Sequence, residues 1–264
     1  MAPAYLACLD GVVMPAADAA VPATDEGLLR GDGVFEVMRL YGGRPFALRE
    51  HLERLERSAR NLRLPGDVDA VRADVARLLD AAAGEPDPGM LRIALTRGGR
   101  RLLLVESLPE HAPTIRLATV TYAPVRLLDG VKSLSYAANM LATRLAREQG
   151  ADEALLVTPH GRVLEAPTSS IFWVARGTVR TPPLSDHVLA SITRAVTIEL
   201  ADAEERSCTL QELLAADEAF LVSTTRELQP IATVDGQGVG PAGGGPVSRR
   251  LAERLHERIL AGLS

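Results

Sequence analysis

Gly130 to Met140 reads GVKSLSYAANM and holds the only lysine in the chain, Lys132. The other 28 of its 29 basic residues are arginine. Two readings of that lysine compete. One is a surface residue left over in an arginine-rich composition. The other is chemical. Arginine stays protonated, whereas a lysine, with an ordinary pKa of about 10.4, becomes a nucleophilic amine when burial lowers that value. An amine that condenses with a carbonyl to form a Schiff base has to be a lysine.

The composition narrows the classes of partner. A chain of 264 residues is long enough for one large domain or two small ones. With 47% hydrophobic and 24% charged residues, it has an ordinary globular balance and can bury a sizeable core. The net charge of −5 and the interleaving of arginines with Asp and Glu give no basic surface for nucleic acid. No apolar run approaches the roughly 20 residues of a membrane span. The opening MAPAYLACLDG lacks the basic start and long apolar stretch of a secretion signal, which points to a soluble cytoplasmic protein. Cys8 and Cys208 lie far apart with no paired spacing, so they read as buried thiols in a reducing compartment. The five histidines and the acids show no metal-ligand spacing, and no metal is expected.

Working outward from Lys132, the spacing predicts short strands, glycine turns and amphipathic helices in both halves. LACLDGVVM reads as a hairpin turning at Asp10-Gly11, and VFEVMRLYGGRPFAL as a second turning at Gly42-Gly43. A helix follows, with Leu48, Leu52, Leu55, Ala59 and Leu62 on one face. Its flanks carry Glu50/Arg54, Glu53/Arg57 and Glu56/Arg60 as i,i+4 pairs. A second helix spans Val68 to Ala83, stopped by GEPDPG, and LRIALTRGGRRLLLVES is a strand pair around a glycine turn. TIRLATVTYA is a further strand.

Loop signals near Glu110–Pro113 and Ala123-Pro124 set the expected division: an N-terminal domain over 1–118, a linker over 119–125 and a C-terminal domain over 126–264. The second half opens with a helix starting at Lys132, with Leu134, Ala138, Leu141 and Leu145 on one face and Gly150 at its end. EALLVT, RVLEA, SSIFWVARGTVRT and DEAFLVST read as strands, SITRAVTIELA and VSRRLAERLHERIL as helices, and GQGVGPAGGG as a flexible loop. The fold class is α+β with two domains.

The fragments GDGVFEVMRLYGG, EHLERLERSA, VKSLSYAANMLATRLA, GADEALLVTPHGRVLEAPTSSIFWV, LASITRAVTIELA and DEAFLVSTTRELQPI occur in the order found in fold-type IV pyridoxal 5′-phosphate enzymes. In these fragments the chain resembles that family, which holds D-amino acid and branched-chain aminotransferases, R-selective amine transaminases and aminodeoxychorismate lyases. The resemblance implies a smaller N-terminal α/β domain, a larger C-terminal domain, pyridoxal 5′-phosphate held between them, and a homodimer.

The resemblance also implies roles for individual residues. Lys132 matches the lysine that holds the cofactor as a Schiff base and then moves the proton. Glu165 matches the glutamate facing the pyridine nitrogen, where a carboxylate keeps that nitrogen protonated; by itself it would read as a solvated strand-end acid. Arg54 matches the phosphate-binding arginine, though on its own it would be only a helix-surface partner for Glu50. Ile192 and Thr193 would offer backbone N–H groups at a helix N-terminus, with Ser191 as N-cap. Ser223 and Thr224 would add hydroxyl and backbone donors. Leu189 would pack on the cofactor ring, and Tyr136 would bond its ring hydroxyl. Pro167 and Ser170 depart from the family, where a small or hydroxyl residue and an Asn are common.

Three functions stay open at this stage. A transaminase would carry an amino group from a small-molecule amino donor to a 2-oxo acid acceptor. The fragments KSL, ITR and STT lean toward the D-amino acid branch, while Phe35, where that branch has a tyrosine, leans toward the branched-chain enzymes. Phe35, Thr225 and one of Arg100 or Arg101 in the TRGGRR turn are assigned to substrate, the arginine to its carboxylate; a solvent-facing hairpin turn is the alternative for the arginines. An aminodeoxychorismate lyase would use the same Schiff base to release pyruvate and 4-aminobenzoate. A non-catalytic protein that kept the fold is the third, and the intact set of Lys132, Glu165 and Arg54 argues against it.

Overall fold

The computed structural model describes residues 4–84 and 89–263. Packing divides the chain into two units. One runs to Glu110 and takes back Gly130–Tyr136; the other holds His111–Asp129 and Ala137–Leu260.

In the first unit the hairpin turns predicted at Asp10-Gly11 and Gly42-Gly43 join β1 (Ala4–Leu9) to β2 (Val12–Pro15) and β3 (Gly33–Tyr41) to β4 (Arg44–Pro45). Asp10, Gly11, Gly42 and Gly43 all take positive φ, which tight hairpins require and glycine adopts freely. The short helix α1 (Glu26–Arg30) precedes β3, and β5 (Met90–Thr96) and β6 (Arg101–Glu106) complete an antiparallel sheet of order β2-β1-β6-β5-β3-β4.

Helices α2 (Leu48–Asn61) and α3 (Val68–Ala81) cover this sheet. Leu52, Leu55 and Ala59 of α2 and Val71, Val75 and Leu78 of α3 are buried in one cluster with Met38, Leu91, Ile93 and Leu103. Leu48 and Leu62 pack at its margin. The α2 face is therefore as its leucine spacing predicts, with one addition: His51, Arg54 and Ser58 are buried beside it. The second helix ends two residues early, in a 3₁₀ turn over Ala82–Gly84, and most of the GEPDPG stop lies outside the described residues.

The second unit is built on a sheet of order β12-β11-β10-β14-β15-β7-β8-β9-β13, with β16 paired to β15. Its strands are β7 (Ile115–Thr121), β8 (Glu153–Val157), β9 (Arg162–Val163), β10 (Ser170–Ala175), β11 (Thr178–Thr181), β12 (Glu204–Glu205), β13 (Cys208–Thr209), β14 (Glu218–Ser223), β15 (Glu227–Val234) and β16 (Gln237–Gly238). Its helices are α4 (Ala137–Glu148), α5 (Ile192–Ala201), α6 (Leu210–Leu214) and α7 (Pro246–Ala261). Phe172 and Phe220 stack at 5.5 Å between ring centroids, and neither is exposed. Buried Glu218 accepts the Val247 and Ser248 N–H groups at 2.9 and 2.8 Å, so its carboxylate caps the start of α7.

Three expectations change. The division does not follow 1–118, 119–125 and 126–264: β7 is hydrogen-bonded to β8 and β15, so 115–121 belongs with the second sheet. The helix expected to start at Lys132 starts at Ala137 instead. Its buried residues are Ala142 and Ala146, while Leu141 and Leu145 are exposed, because small residues let α4 sit close to the sheet. Finally, β15 was not legible in the sequence, since Pro230 interrupts its alternation.

Residues 132–134 are extended and complete the edge of β3. Phe35 N–H donates to the Lys132 carbonyl at 3.0 Å and Leu134 N–H to the Gly33 carbonyl at 2.8 Å, with a bridge at Val34–Ser133. Lys132 N–H donates to Ser58 Oγ on α2 at 3.1 Å, and Ser135 Oγ donates to the Gly31 carbonyl at 3.0 Å. This approach needs glycine. A Cβ on Gly33 would meet the Leu95 carbonyl and the Leu134 side chain, and one on Gly31 would meet Ser135.

Gly33→Ala should therefore destabilise the protein by about 1–3 kcal/mol, the range for overpacking a close contact, read as a lower urea midpoint. An unchanged midpoint would mean that the strip does not need this closeness.

Acid should weaken the first unit in two steps. Burial lowers His51 from its ordinary 6.5, so the unfolded chain takes up a proton there that the folded one refuses, and stability falls as pH drops below about 6.5. Glu36 is held down to about 2: burial pushes it up, but hydrogen bonds and charge from Arg54 and His51 outweigh burial. Its contribution is present above its ordinary 4.5 and is lost as pH falls from there toward 2. Urea midpoints stepped from pH 7 to 3 should fall in both windows, and Glu36→Gln should flatten the lower one.

Candidate active site

Lys132 sits on the extended strip that β3 holds, and its side chain runs over an aromatic pair. Nζ lies 4.3 Å from the centre of the Phe35 ring and 5.9 Å from that of Tyr136. The two rings meet edge to face, with centroids 5.2 Å apart. Alternation along β3 directs Phe35 and Val37 to one face and Val34 and Glu36 to the other. An ammonium over an aromatic face is attracted to it, so the pair favours one placement of Nζ. The first unit thus brings together three of the predicted site residues, Lys132, Phe35 and Tyr136.

Arg54 is in the same unit, but its surroundings differ from a solvated helix face. It is buried, and Glu36 of β3 grips it through two bonds, Nε to Oε1 and Nη2 to Oε2, both 2.7 Å. His51 Nδ1 lies 2.7 Å from Glu36 Oε2. The expected Glu50 partner is taken by Arg49 at 2.8 Å instead. Arg54 and Ser58 are one turn apart on α2, so the helix that anchors the Lys132 main chain also carries the guanidinium.

In the second unit Glu165 follows β9 and is half-buried, with Oε1 accepting the Leu189 N–H at 3.1 Å. That bond ties the carboxylate to the segment leading into α5, where Ser191 is the N-cap and accepts the Arg194 N–H at 3.3 Å. Helix geometry leaves the N–H groups of Ile192 and Thr193 without an intrahelical acceptor, and the helix dipole makes that end attractive to an anion. Thr224, Thr225 and Arg226 form the turn after Ser223 at the end of β14, closed by Arg226 N–H to Ser223 Oγ at 3.4 Å. Burial raises the Tyr122 hydroxyl above its ordinary value, and the charge of Glu165 raises it further.

Arg100 and Arg101, assigned to a substrate carboxylate from the sequence, each hold an acid of their own unit. Arg100 donates to Asp10 at 2.7 Å and Arg101 to the buried Asp74 at 2.7 Å, so the TRGGRR turn is tied into its own unit by ion pairs. A carboxylate role for either would use the guanidinium N–H groups that these pairs leave. Arg97 binds Asp32 and the Leu62 and Arg63 carbonyls at the end of α2.

Other contributors went unrecognised in the sequence: Glu36 and His51 behind Arg54, Ser58 beneath Lys132, and Glu153. Glu153 accepts from Arg226 at 2.7 Å and from Thr168 at 3.1 Å, linking the Ser223–Arg226 turn to the stretch after Glu165. Glu36 and Glu153 each stand in a mostly apolar strand, a signal legible only once a partner is known, while His51 and Ser58 carry none in the polar helix α2. Neither cysteine is a reactive thiol: burial, ahead of the Glu212 charge, pushes Cys208 up to about 12, and burial likewise raises Cys8.

The sequence pattern of the family described as Amino-transferase class IV matches residues 33–234. A Methanocaldococcus jannaschii protein named putative branched-chain-amino-acid aminotransferase is 32% identical over 274 residues, covering 94% of each chain. A Bacillus licheniformis D-alanine aminotransferase is 30% identical over 275 residues, covering 96% of each. Among solved structures, the pyridoxal-phosphate-bound form of a hypothetical aminotransferase from Mycobacterium tuberculosis superposes with a TM-score of 0.88 at 27% identity, over 97% of this chain and 99% of that one. A match running from β3 through β15, with Lys132 inside it, and relatives aligned along almost their whole length establish that the chain belongs to the class IV aminotransferases.

Proposed function

We propose that this pyridoxal-phosphate-dependent aminotransferase takes its amino group from an amino acid with an apolar, branched-chain type of side chain and passes it to a 2-oxo acid. The aromatic pair beside Lys132 supports that preference, because Phe35 and Tyr136 offer an apolar surface within reach of Nζ. The ion pairs of Arg100 and Arg101 speak against a D-amino acid type of carboxylate contact from that turn. Transfer, not lyase chemistry, is what the named relatives share.

The donors present suit the cofactor. The first unit supplies an amine at Lys132 and a guanidinium at Arg54. The second supplies the Glu165 carboxylate, the N-terminus of α5 and the hydroxyls of Ser223, Thr224 and Thr225. Those are the groups an aldehyde, a pyridine nitrogen and a phosphate call for. Pyridoxal 5′-phosphate, when bound, supplies the aldehyde and a ring that takes up the electron pair left at the substrate Cα.

The chain's residues do the rest. Lys132 Nζ would hold the cofactor and, once the amino donor has freed it, would serve as the base that moves the proton from the substrate Cα. The Phe35 ring, 4.3 Å from Nζ, would limit where that amine can move. Glu165, steadied by the Leu189 N–H, would keep a proton on the ring nitrogen. In the first unit Arg54 would bind the phosphate; in the second, the Ile192 and Thr193 N–H groups and the hydroxyls of Ser223, Thr224 and Thr225 would do so, and Leu189 would pack on the ring.

A homodimer fits the apolar residues exposed on α1 (Leu28, Leu29) and on α4 (Met140, Leu141). Two buried, unpaired cysteines fit a reducing cytoplasm. Among the described residues no helix is long and apolar enough to cross a membrane.

The observation that carries the reading is Lys132 itself, the sole lysine, set over two rings inside the matched region. Lys132→Ala and Lys132→Arg should each lower turnover by at least about 10³-fold with an unchanged fold by circular dichroism, since arginine keeps the charge but has no amine to release. Retained activity in either variant would sink the assignment. With 2-oxoglutarate as acceptor, oxo-acid formation should be faster from L-leucine or L-valine than from D-alanine; the reverse order would place the enzyme in the D-amino acid branch. Release of pyruvate and 4-aminobenzoate from aminodeoxychorismate would restore the lyase.

A further inference from the structure

Behind Arg54 lies a buried polar group that packing alone does not require. Glu36 is fully buried, His51 is 1% exposed and Arg54 5%. They stand where β3 meets α2, amid Leu52, Leu55 and Met38. A buried ion pair seldom adds more stability than apolar residues of the same volume would. The β3–α2 contact could therefore have been closed by two more leucines. What the ion pair supplies that leucines cannot is direction.

Glu36 takes the Nε–Nη2 edge of the guanidinium and so fixes the plane of Arg54 and the edge it can turn to an anion. Glu36 is fixed in its turn by His51 Nδ1 at 2.7 Å. The imidazole is neutral: protonation would add a buried N–H at Nε2, which makes no hydrogen bond among the described residues, close to the positive charges of Arg54 and Lys132. Nδ1 therefore carries the hydrogen and donates to Glu36. One turn along α2, Ser58 Oγ holds the Lys132 main chain. A single helix face thus fixes the anchor of the amine and the orientation of the guanidinium together.

We propose that Glu36 and His51 are positioning residues for the cofactor phosphate, holding Arg54 in the one orientation that meets it while Ser58 holds the Lys132 strip. This rests on the reading of Arg54 as a phosphate ligand given above.

A merely structural pair would affect all ligands alike, whereas a positioning pair should act only on ligands that carry the phosphate. The test compares binding of pyridoxal 5′-phosphate with binding of pyridoxal, which offers the same aldehyde to Lys132 without the phosphate. Dissociation constants are read from the colour change of the cofactor-depleted full-length protein. Glu36→Gln keeps the shape but faces the Arg54 donors with an amide N–H. It should weaken pyridoxal 5′-phosphate by at least about tenfold and shift pyridoxal by less than about twofold, in line with the loss of a charge-assisted contact. His51→Leu should do the same. His51→Asn, whose amide nitrogen falls near the place of Nδ1, should restore most of the difference, and it carries the comparison should Glu36→Gln fail to fold.

Arg54→Gln separates the two layers. If it leaves the preference for the phosphorylated ligand intact, the phosphate role of Arg54 fails and this proposal fails with it. If Arg54→Gln removes the preference while Glu36→Gln and His51→Leu keep it, or weaken both ligands equally, the positioning role alone is overturned.

Discussion

The free edge of β3 is the constraint on which the candidate site depends. A strand edge left open exposes unpaired main-chain groups, and here the strip around Lys132 satisfies it through Phe35 N–H and the Gly33 carbonyl. The consequence is positional. Lys132 comes after the first strand of the second sheet in sequence, yet it belongs by packing to the first unit. The main chain at Lys132 is held on two sides, by β3 and by Ser58, so its side chain starts from a fixed point. Two glycines, Gly31 and Gly33, make that closeness possible.

The second theme is how an arginine-rich chain places its charge. Around the β5–β6 turn, Asp10, Asp32 and Asp74 each take an arginine. The pairs of Asp10 and Asp32 lie toward the surface, where a pair adds little stability and mainly fixes geometry, whereas Asp74 is buried. Buried Asp25 works through hydrogen bonds: it caps α1 through the Gly27 N–H and receives the Thr96 hydroxyl, joining helix to strand. Arg97, lying over the α2 carbonyls, closes the same corner.

Much of this was legible in the sequence because it is local. The turns at Asp10-Gly11 and Gly42-Gly43, the leucine face of α2 and the Ser191 cap are each decided within a few residues, and each appears where its pattern lies. What failed was decided at a distance. Leu134, Leu141 and Leu145 have helical spacing, but the β3 edge draws residue 134 into an extended strip, and close packing selects Ala142 and Ala146 for the inward face of α4. Arg54 has a glutamate four residues before it and takes another eighteen residues away. Pro230 hides a strand whose other neighbours supply the ladder. The TRGGRR arginines were legible as a turn, and their acidic partners, distant in sequence, were not.

A chain with one lysine has one side-chain amine. Reagents that couple proteins to resins, dyes or polymers through lysine would find only the half-buried residue set over Phe35. Attachment through that chemistry would fall on the residue proposed to carry the reaction, and immobilising this protein calls for carboxylate or guanidinium handles instead. The use of arginine everywhere else thus makes a routine laboratory reaction selective for a single half-buried side chain.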